Sequence, residues 1–426
     1  MRRFFYCLFL LFVVTGCHTF YYTASPGPIL TSINIIDRNG FSETISNSDR
    51  LSQYCGVDFL QNQPYQKVLR VYARDEMGDI RAHITSYHPN GQVRQSLEVV
   101  NNRACGNYQE WYSNGQLKIE GTVIAGEADI DAESQKTWMF DGMSRAWDDA
   151  GHLLAEIPYF RGELEGITYY YHTSGSVWKK VPYCKGNLDG MTEIFLEDGS
   201  LLQTITHLEG EKHGCSTRYW SKDVIASEEH FYKNRLERAI YFDSCGKELS
   251  RIEQGNGFRV VFGKHGVSEM HEYQHGLAEG EVRVFLENGT LARIYHVKNG
   301  LKNGEEIEYY LPFESIREKQ PKLSVQWIEG KVQGLAKTWY PNGRQESQRE
   351  MNNNKKHGLL TAWYGDGSIM LLEEYDQDKL NTGEYFSPGE NTPASEVKNG
   401  KGTATLFDSK GNLKRKISYY NGKPVP

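Results

Sequence analysis

Ala336–Gly343 reads AKTWYPNG and Thr361–Gly367 reads TAWYGDG, an aromatic pair before a turn glycine, with the two glycines 24 residues apart. Glycine after a polar residue punctuates a chain at turns, so a fixed interval between such glycines marks a structural repeat. The reference glycine, or a substitute for it, stands at Gly91, Gly115, Gly151, Gly175, Gly199, Asp223, Gly246, Gly266, Gly289, Phe313, Gly343, Gly367, Gly389 and Gly411. Four residues before each comes a ring: Tyr87, Trp111, Trp147, Tyr171, Phe195, Tyr219, Phe242, Phe262, Phe285, Tyr309, Trp339, Trp363, Tyr385 and Phe407. All 14 positions of this aromatic ladder are filled in a chain that is only 12 % aromatic, so the register is not an accident of composition.

The intervening residues define the unit. A second glycine precedes many turn glycines by nine residues, as in Gly106/Gly115, Gly190/Gly199, Gly280/Gly289 and Gly358/Gly367. A second turn follows by 11 residues at Gly162, Gly186, Gly210 and Gly300, within YFRGELEG, YCKGNLDG, HLEGEKHG and VKNGLKNG. Each repeat therefore reads strand, turn, strand, turn. Asn90-Gly91, Asn114-Gly115, Asn288-Gly289 and Asn342-Gly343, with Asp198-Gly199 and Asp366-Gly367, predict type I′ turns, which take positive φ at both central residues. Residues of the first strand alternate in direction, as Glu193 and Phe195 do against Ile194 and Leu196. The second strand ends, eight residues past the turn, in Val99, Val123, Tyr159, Tyr183, Phe231, Met351, Tyr375 or Tyr419, and rings there are expected to stack from repeat to repeat.

Segments such as WYSNGQLKIEG, TWYPNGRQESQ and YYNGKP resemble the MORN-like repeats of the YwqK family over roughly residues 78–426. Members of that family are commonly described as antitoxin components of toxin–antitoxin systems, and the resemblance implies that role as one reading. The expected fold is all-β: an elongated antiparallel meander of tandem β-hairpin repeats filling residues 61–426. Fourteen hairpins at about 4.8 Å per strand give an array on the order of 130 Å long. Asp129–Lys136 and Glu314–Lys322 break the period and are expected as surface loops. Residues 17–60, rich in Ser and Asn and containing Ser25-Pro26-Gly27-Pro28, are expected as a tether, with Asn39-Gly40 marking a degenerate hairpin within it.

Before this array comes a leader. Arg2 and Arg3 precede an apolar run from Phe4 to Val14, too short to span a bilayer comfortably, which predicts an export signal over residues 1–16. Val14-Thr15-Gly16-Cys17 resembles the lipobox of bacterial lipoproteins. That resemblance implies removal of residues 1–16, acylation of Cys17, and a membrane anchor facing the periplasm or exterior of a bacterium. The mature chain loses Arg2 and Arg3 and no acid, leaving 46 basic against 55 acidic residues, a net −9. A mildly acidic, mixed surface argues against nucleic-acid binding. Cys55, Cys105, Cys184, Cys215 and Cys245 remain, an odd number without metal-site spacing, and no disulfide framework is predicted.

Sites for chemistry are weighed and set aside. His265, His271, His275 and His296 lie close in sequence without supporting Cys or acidic ligands at site spacing, so no metal or other cofactor is assigned. His213 and His357 recur in Lys-His-Gly at equivalent turns and read as turn residues. The chain has no G-x-S-x-G, no P-loop and no G-x-G-x-x-G. The aromatic ladder is the feature with functional potential, either as a packed face or as an open one that grips a polypeptide, a glycan or another copy of the array. Three readings follow, led by a non-enzymatic, membrane-anchored scaffold that binds a protein. The antitoxin role and a cell-envelope glycan binder stand behind it.

Overall fold

The computed structural model describes residues 29–55, 57–63, 65–264, 266–311 and 319–425. The chain divides into two compact units, Met1–Glu163 and Leu164–Pro426. In each unit, strands pair antiparallel with their neighbours in sequence. Lys331–Trp339 pairs with Gln345–Asn352, that strand with Lys355–Trp363, and that one with Ile369–Asp376. The all-β meander of hairpin repeats is thus the observed architecture. Among the described residues the only α-helices are Ser48–Ser52 and Ala132–Gln135.

The two kinds of turn exchange the roles that the Asn-Gly and Asp-Gly dipeptides suggest. At the first turn, the Tyr340 N–H donates to Arg344 O at 2.8 Å and the Gly343 N–H to Tyr340 O at 2.9 Å. This closes a three-residue loop, Pro341-Asn342-Gly343, in which Gly343 alone has positive φ, at +86°. It is a type I turn followed by a left-handed glycine, not the type I′ turn expected. Asn342 is suited to it for another reason: its Oδ1 accepts the Arg344 N–H at 3.0 Å. Asn114 and Asp366 do the same for Gln116 and Ser368. The type I′ geometry belongs to the second turn, where Asn101 and Asn102 have φ of 48° and 60°, and Asn353 and Asn354 50° and 68°.

A bulge accompanies every ladder ring except Tyr385, whose strand pairs without a slip. Thr338 lies opposite Ser347 while Trp339 lies opposite Gln345, so Glu346 is left over. The same slip occurs at Tyr87, Trp111, Trp147, Tyr171 and Phe195. Extra residues of this kind raise the local twist of a sheet, and here the increment recurs in hairpin after hairpin along the array.

Three residues before the ladder ring, on the opposite face, runs a column of small or apolar buried residues: Thr168, Thr192, Ser216, Val282, Ala336 and Ala404. The glycine two residues further back faces the ring that closes the second strand, as Gly166 faces Tyr183 and Gly358 faces Tyr375. At Gly358 φ is +100°, and an added Cβ would overlap the Glu350 carboxylate, which accepts the Leu359 N–H at 3.2 Å. That conformation and that crowding explain the recurrent glycine.

Each unit has its own cores. In the first, Ile84, Leu97, Ala104 and Val123 cluster with Tyr108 and Trp138, whose rings meet edge-on at 4.8 Å. In the second, Leu236, Tyr241 and Ile252 form one centre and Leu380, Tyr385 and Val397 another. Around the former the hairpin edge coils tightly. Gly255 N–H donates to Glu237 O, Gly276 N–H to Gly255 O, and Leu236 N–H to Gly276 O, at 2.8, 2.9 and 3.1 Å.

Two further expectations are corrected. The stretch expected as a tether is structured from Ile29 onward: Ile29–Asp37 pairs with Ser42–Ile45 around Asn39-Gly40 and with Gln66–Arg74. Its Ile33 and Ile45 are 0 % and 2 % exposed, so the degenerate hairpin belongs to the core. Residues 17–28 lie outside the described residues. The insertion Asp129–Lys136 is not a loose surface loop, since Asp131 caps the helix Ala132–Gln135 and both Ile130 and Ser134 are buried. Arg70 Nη2 binds both oxygens of Asp129, at 2.7 and 3.0 Å, fastening it to the sheet. Of the other insertion only Lys319–Lys322 is described.

Candidate functional site

The structure places the ladder rings at one position of successive hairpins. Tyr87 and Tyr385 are buried, 4 % and 0 % exposed, and the remaining twelve are half-buried. The Tyr87 hydroxyl donates to Phe59 O at 2.7 Å and that of Tyr385 to Glu373 Oε1 at 2.7 Å. Cys17, the expected lipid anchor, lies outside the described residues. Among the described residues no helix is long and apolar enough to cross a membrane.

The second residue of most aromatic pairs carries a role that the spacing does not announce. Its side chain reaches the backbone carbonyl of the ladder residue in the next repeat, or, for Tyr364, the Phe386 carbonyl one residue beyond it, at 2.8 Å. Tyr112 Oη donates to Trp147 O at 3.0 Å, Trp220 Nε1 to Phe242 O at 3.0 Å, Tyr310 Oη to Trp339 O at 2.6 Å, and Tyr340 Oη to Trp363 O at 2.8 Å. His88 Nε2 and His172 Nε2 stand in the same relation to Trp111 O and Phe195 O, at 2.8 and 3.1 Å. Turn asparagines add a parallel seam, Asn90 Nδ2 to Ser113 O and Asn114 Nδ2 to Asp149 O, at 2.6 and 2.7 Å. Tyr340→Phe keeps the ring and removes one seam bond, so it should cost about 1 kcal/mol. Hydrogen exchange should report the loss at Thr361–Trp363 and not in distant hairpins, because repeats of this kind couple mainly to their neighbours.

Three of the rings that lie at the ends of second strands are covered by cations. Lys302 Nζ lies 4.7 Å from the Trp327 ring centre, Lys356 Nζ 4.4 Å from that of Tyr375, and Lys212 Nζ 5.1 Å from that of Phe231. Beneath them in the second unit sit three buried carboxylates. Glu229 accepts from Tyr241 Oη at 2.8 Å and Arg259 Nε at 2.7 Å; Glu306 from Trp327 Nε1 and Lys302 Nζ, both at 2.7 Å; Glu373 from Tyr375 Oη and Tyr385 Oη at 3.0 and 2.7 Å. Burial, and then the neighbouring carboxylate, push the Tyr241 and Tyr385 hydroxyls far above the ordinary phenol range. Burial works against the charge of Arg259, yet its hydrogen bond and ion pair with Glu229 outweigh this and raise it. These groups are neutral donors and paired ions locked into packing, an arrangement that joins hairpins and offers no exposed acid–base pair.

Histidines follow the same pattern. His271 Nε2 lies 2.6 Å from Glu269 Oε2, His296 Nδ1 lies 2.9 Å from Glu305 O, His275 occupies a second-turn position with φ 52°, and His265 lies outside the described residues. No group of three or more His, Cys, Asp or Glu side chains among the described residues is placed to hold a metal ion. Cys55, Cys105, Cys184, Cys215 and Cys245 are all free. His207, 9 % exposed, has its pKa lowered from 6.5 by burial and then by Lys212 and Lys179. Because its folded pKa lies below the unfolded one, its contribution is complete above about pH 6.5 and is lost as pH falls through the folded value. Stability of the second unit should therefore decline with acidification below 6.5, and His207→Gln should flatten that part of a denaturation-versus-pH profile.

A sequence comparison agrees with the hairpin repeat. The MORN repeat variant matches at residues 104–124, 164–185 and 278–299. No curated protein matches the sequence. Solved structures that resemble the chain include a crystal structure of TcdB2-TccC3 without its hypervariable C-terminal region, at 11 % identity and a TM-score of 0.17, covering 92 % of this chain and 22 % of that one. Another is the Photorhabdus luminescens Tc holotoxin pore with the TccC3-D651A mutation, at 10 % identity and a TM-score of 0.14, covering 92 % of this chain and 25 % of that one. The chain thus spans about a quarter or less of the length of either. Each of the three matched segments coincides with a described hairpin, so MORN-type repeats are present in this chain at those places.

Proposed function

We propose that the protein is a non-enzymatic repeat scaffold that binds a protein partner and is tethered to a bacterial membrane by lipid on Cys17. The observation that supports this reading is a recurrent exposed apolar position. Met143, Ile167, Met191 and Leu359, each eight residues before a turn glycine, are 43 %, 44 %, 54 % and 61 % exposed. They share the face of the ladder rings, since four residues separate them in an alternating strand. The polar and aromatic groups that recur in the repeat are meanwhile engaged in joining hairpins. An all-β array of MORN-type repeats is also a typical scaffold. The anchor rests on the resemblance of Val14–Cys17 to a lipobox.

The test is capture from membranes with the full-length chain as bait, alongside Leu359→Glu and Met143→Glu. A partner retained by the wild type and lost by about tenfold in either variant supports the reading; a bait that retains nothing but copies of itself overturns it. The anchor is checked separately. Labelled palmitate should enter the wild type and not Cys17→Ser, and label in the Ser variant would refute the lipid assignment.

A further inference from the structure

We propose that the first two hairpins of the second unit form a self-complementary docking face for a second copy of this chain. The strands concerned are Gly166–Tyr171, Val177–Cys184, Gly190–Phe195 and Leu201–Leu208. Ile167 lies opposite Pro182, and Phe195 opposite Leu201. With Val177 and Met191, these side chains give the ladder face an apolar surface, of which Met191 is the most exposed member at 54 %. Four strands by about six residues cover about 400 Å². The whole face, its central ion pair included, is thus about half of what one partner contributes to a standard interface, a size that belongs to weak, reversible association.

The charges say which occupant fits. Lys180 and Glu193 are direct cross-strand partners near the centre of this face, with Nζ 3.2 Å from Oε2 and Lys180 also 4.9 Å from the Phe195 ring centre. They neutralise each other, and the alternation puts no other charged side chain of these four strands among the apolar residues named. The net charge of −7 opposes association of copies of this chain, and this face, with one cation and one anion, adds no charge to that repulsion. Two sheets packing face to face stand about 10 Å apart. A two-fold axis lying between them and parallel to the strands exchanges the strand of Lys180 with that of Glu193. Each Lys180 then lies over the other copy's Glu193, so one pair of residues serves as its own complement, as an isologous interface requires.

Two differently tagged full-length chains, purified in detergent, test this by co-purification and by sedimentation across a concentration series. Wild type should associate reversibly. Met191→Lys, Lys180→Glu alone and Glu193→Lys alone should each weaken association by about tenfold or more. An equimolar mixture of the Lys180→Glu and Glu193→Lys chains should recover it, because opposite charges again face each other, and that recovery also shows that both variants fold. Wild type that stays monomeric, including one whose face instead holds an unrelated protein, overturns the proposal. So do single charge reversals that leave association unchanged, or a mixture that fails to recover it.

Discussion

Arg259→Met should destabilise the second unit by about 3–5 kcal/mol, the range for stripping the partner from a buried charge. Glu229 is 6 % exposed and its two oxygens are spoken for by Arg259, at 2.7 and 3.3 Å, and by the Tyr241 hydroxyl at 2.8 Å. Methionine keeps much of the arginine stem's packing but leaves the carboxylate with one neutral donor, beside a core whose members include Phe231, Leu236, Ala239, Ile252 and Val260. Chemical denaturation monitored by tyrosine and tryptophan fluorescence should show the loss. Adding Glu229→Leu to Arg259→Met should recover most of it, since removing both charges also removes the desolvation that the pair had to offset. Failure of the double variant to recover would mean that the pair matters for its shape and not for its charge.

Gly257→Ala should be nearly as damaging, for a reason that involves no side-chain chemistry. Gly257 has φ +139°, a backbone conformation that costs other residues about 1–3 kcal/mol. A Cβ there would overlap the Arg251 carbonyl oxygen and come within 3.2 Å of Ile252 Cα, so backbone must move, adding about 1–3 kcal/mol. Gly142→Ala is the matched control: its φ is also positive, at +76°, but a Cβ would meet nothing within 4 Å. Hydrogen exchange over Glu248–Phe262 should accelerate strongly in the first variant. Around Gly142 the second should show only the milder conformational cost.

The period was legible in the sequence because glycine and aromatic residues are the two kinds that a tight repeat cannot exchange freely. The turn types were not legible, because Asn-Gly suits both a type I′ turn and a type I turn with a following left-handed glycine. What decides between them is the residue count between paired strand ends, here Tyr340 with Arg344, and that count depends on register. The buried carboxylates were hidden by distance along the chain, since Glu229 meets Tyr241 12 residues on and Arg259 30 residues on. The strand Ile29–Asp37 was hidden by its surroundings, because the Ser, Asn and Pro around ILTSINIID read as a tether. The second ring of each pair was the least visible part. Its partner is a main-chain carbonyl, and a main-chain carbonyl leaves no mark in the sequence.

That same seam bears on how such a chain is able to evolve. The donor varies among histidine, tyrosine and tryptophan, while the acceptor is always a main-chain oxygen. A hairpin therefore places no demand on the identity of the residue that receives its bond in the next one. Duplication, deletion or exchange of a whole repeat leaves a working junction on both sides, without compensating changes. Array length is thus free to drift under selection for reach, while each surface residue answers separately to whatever it touches.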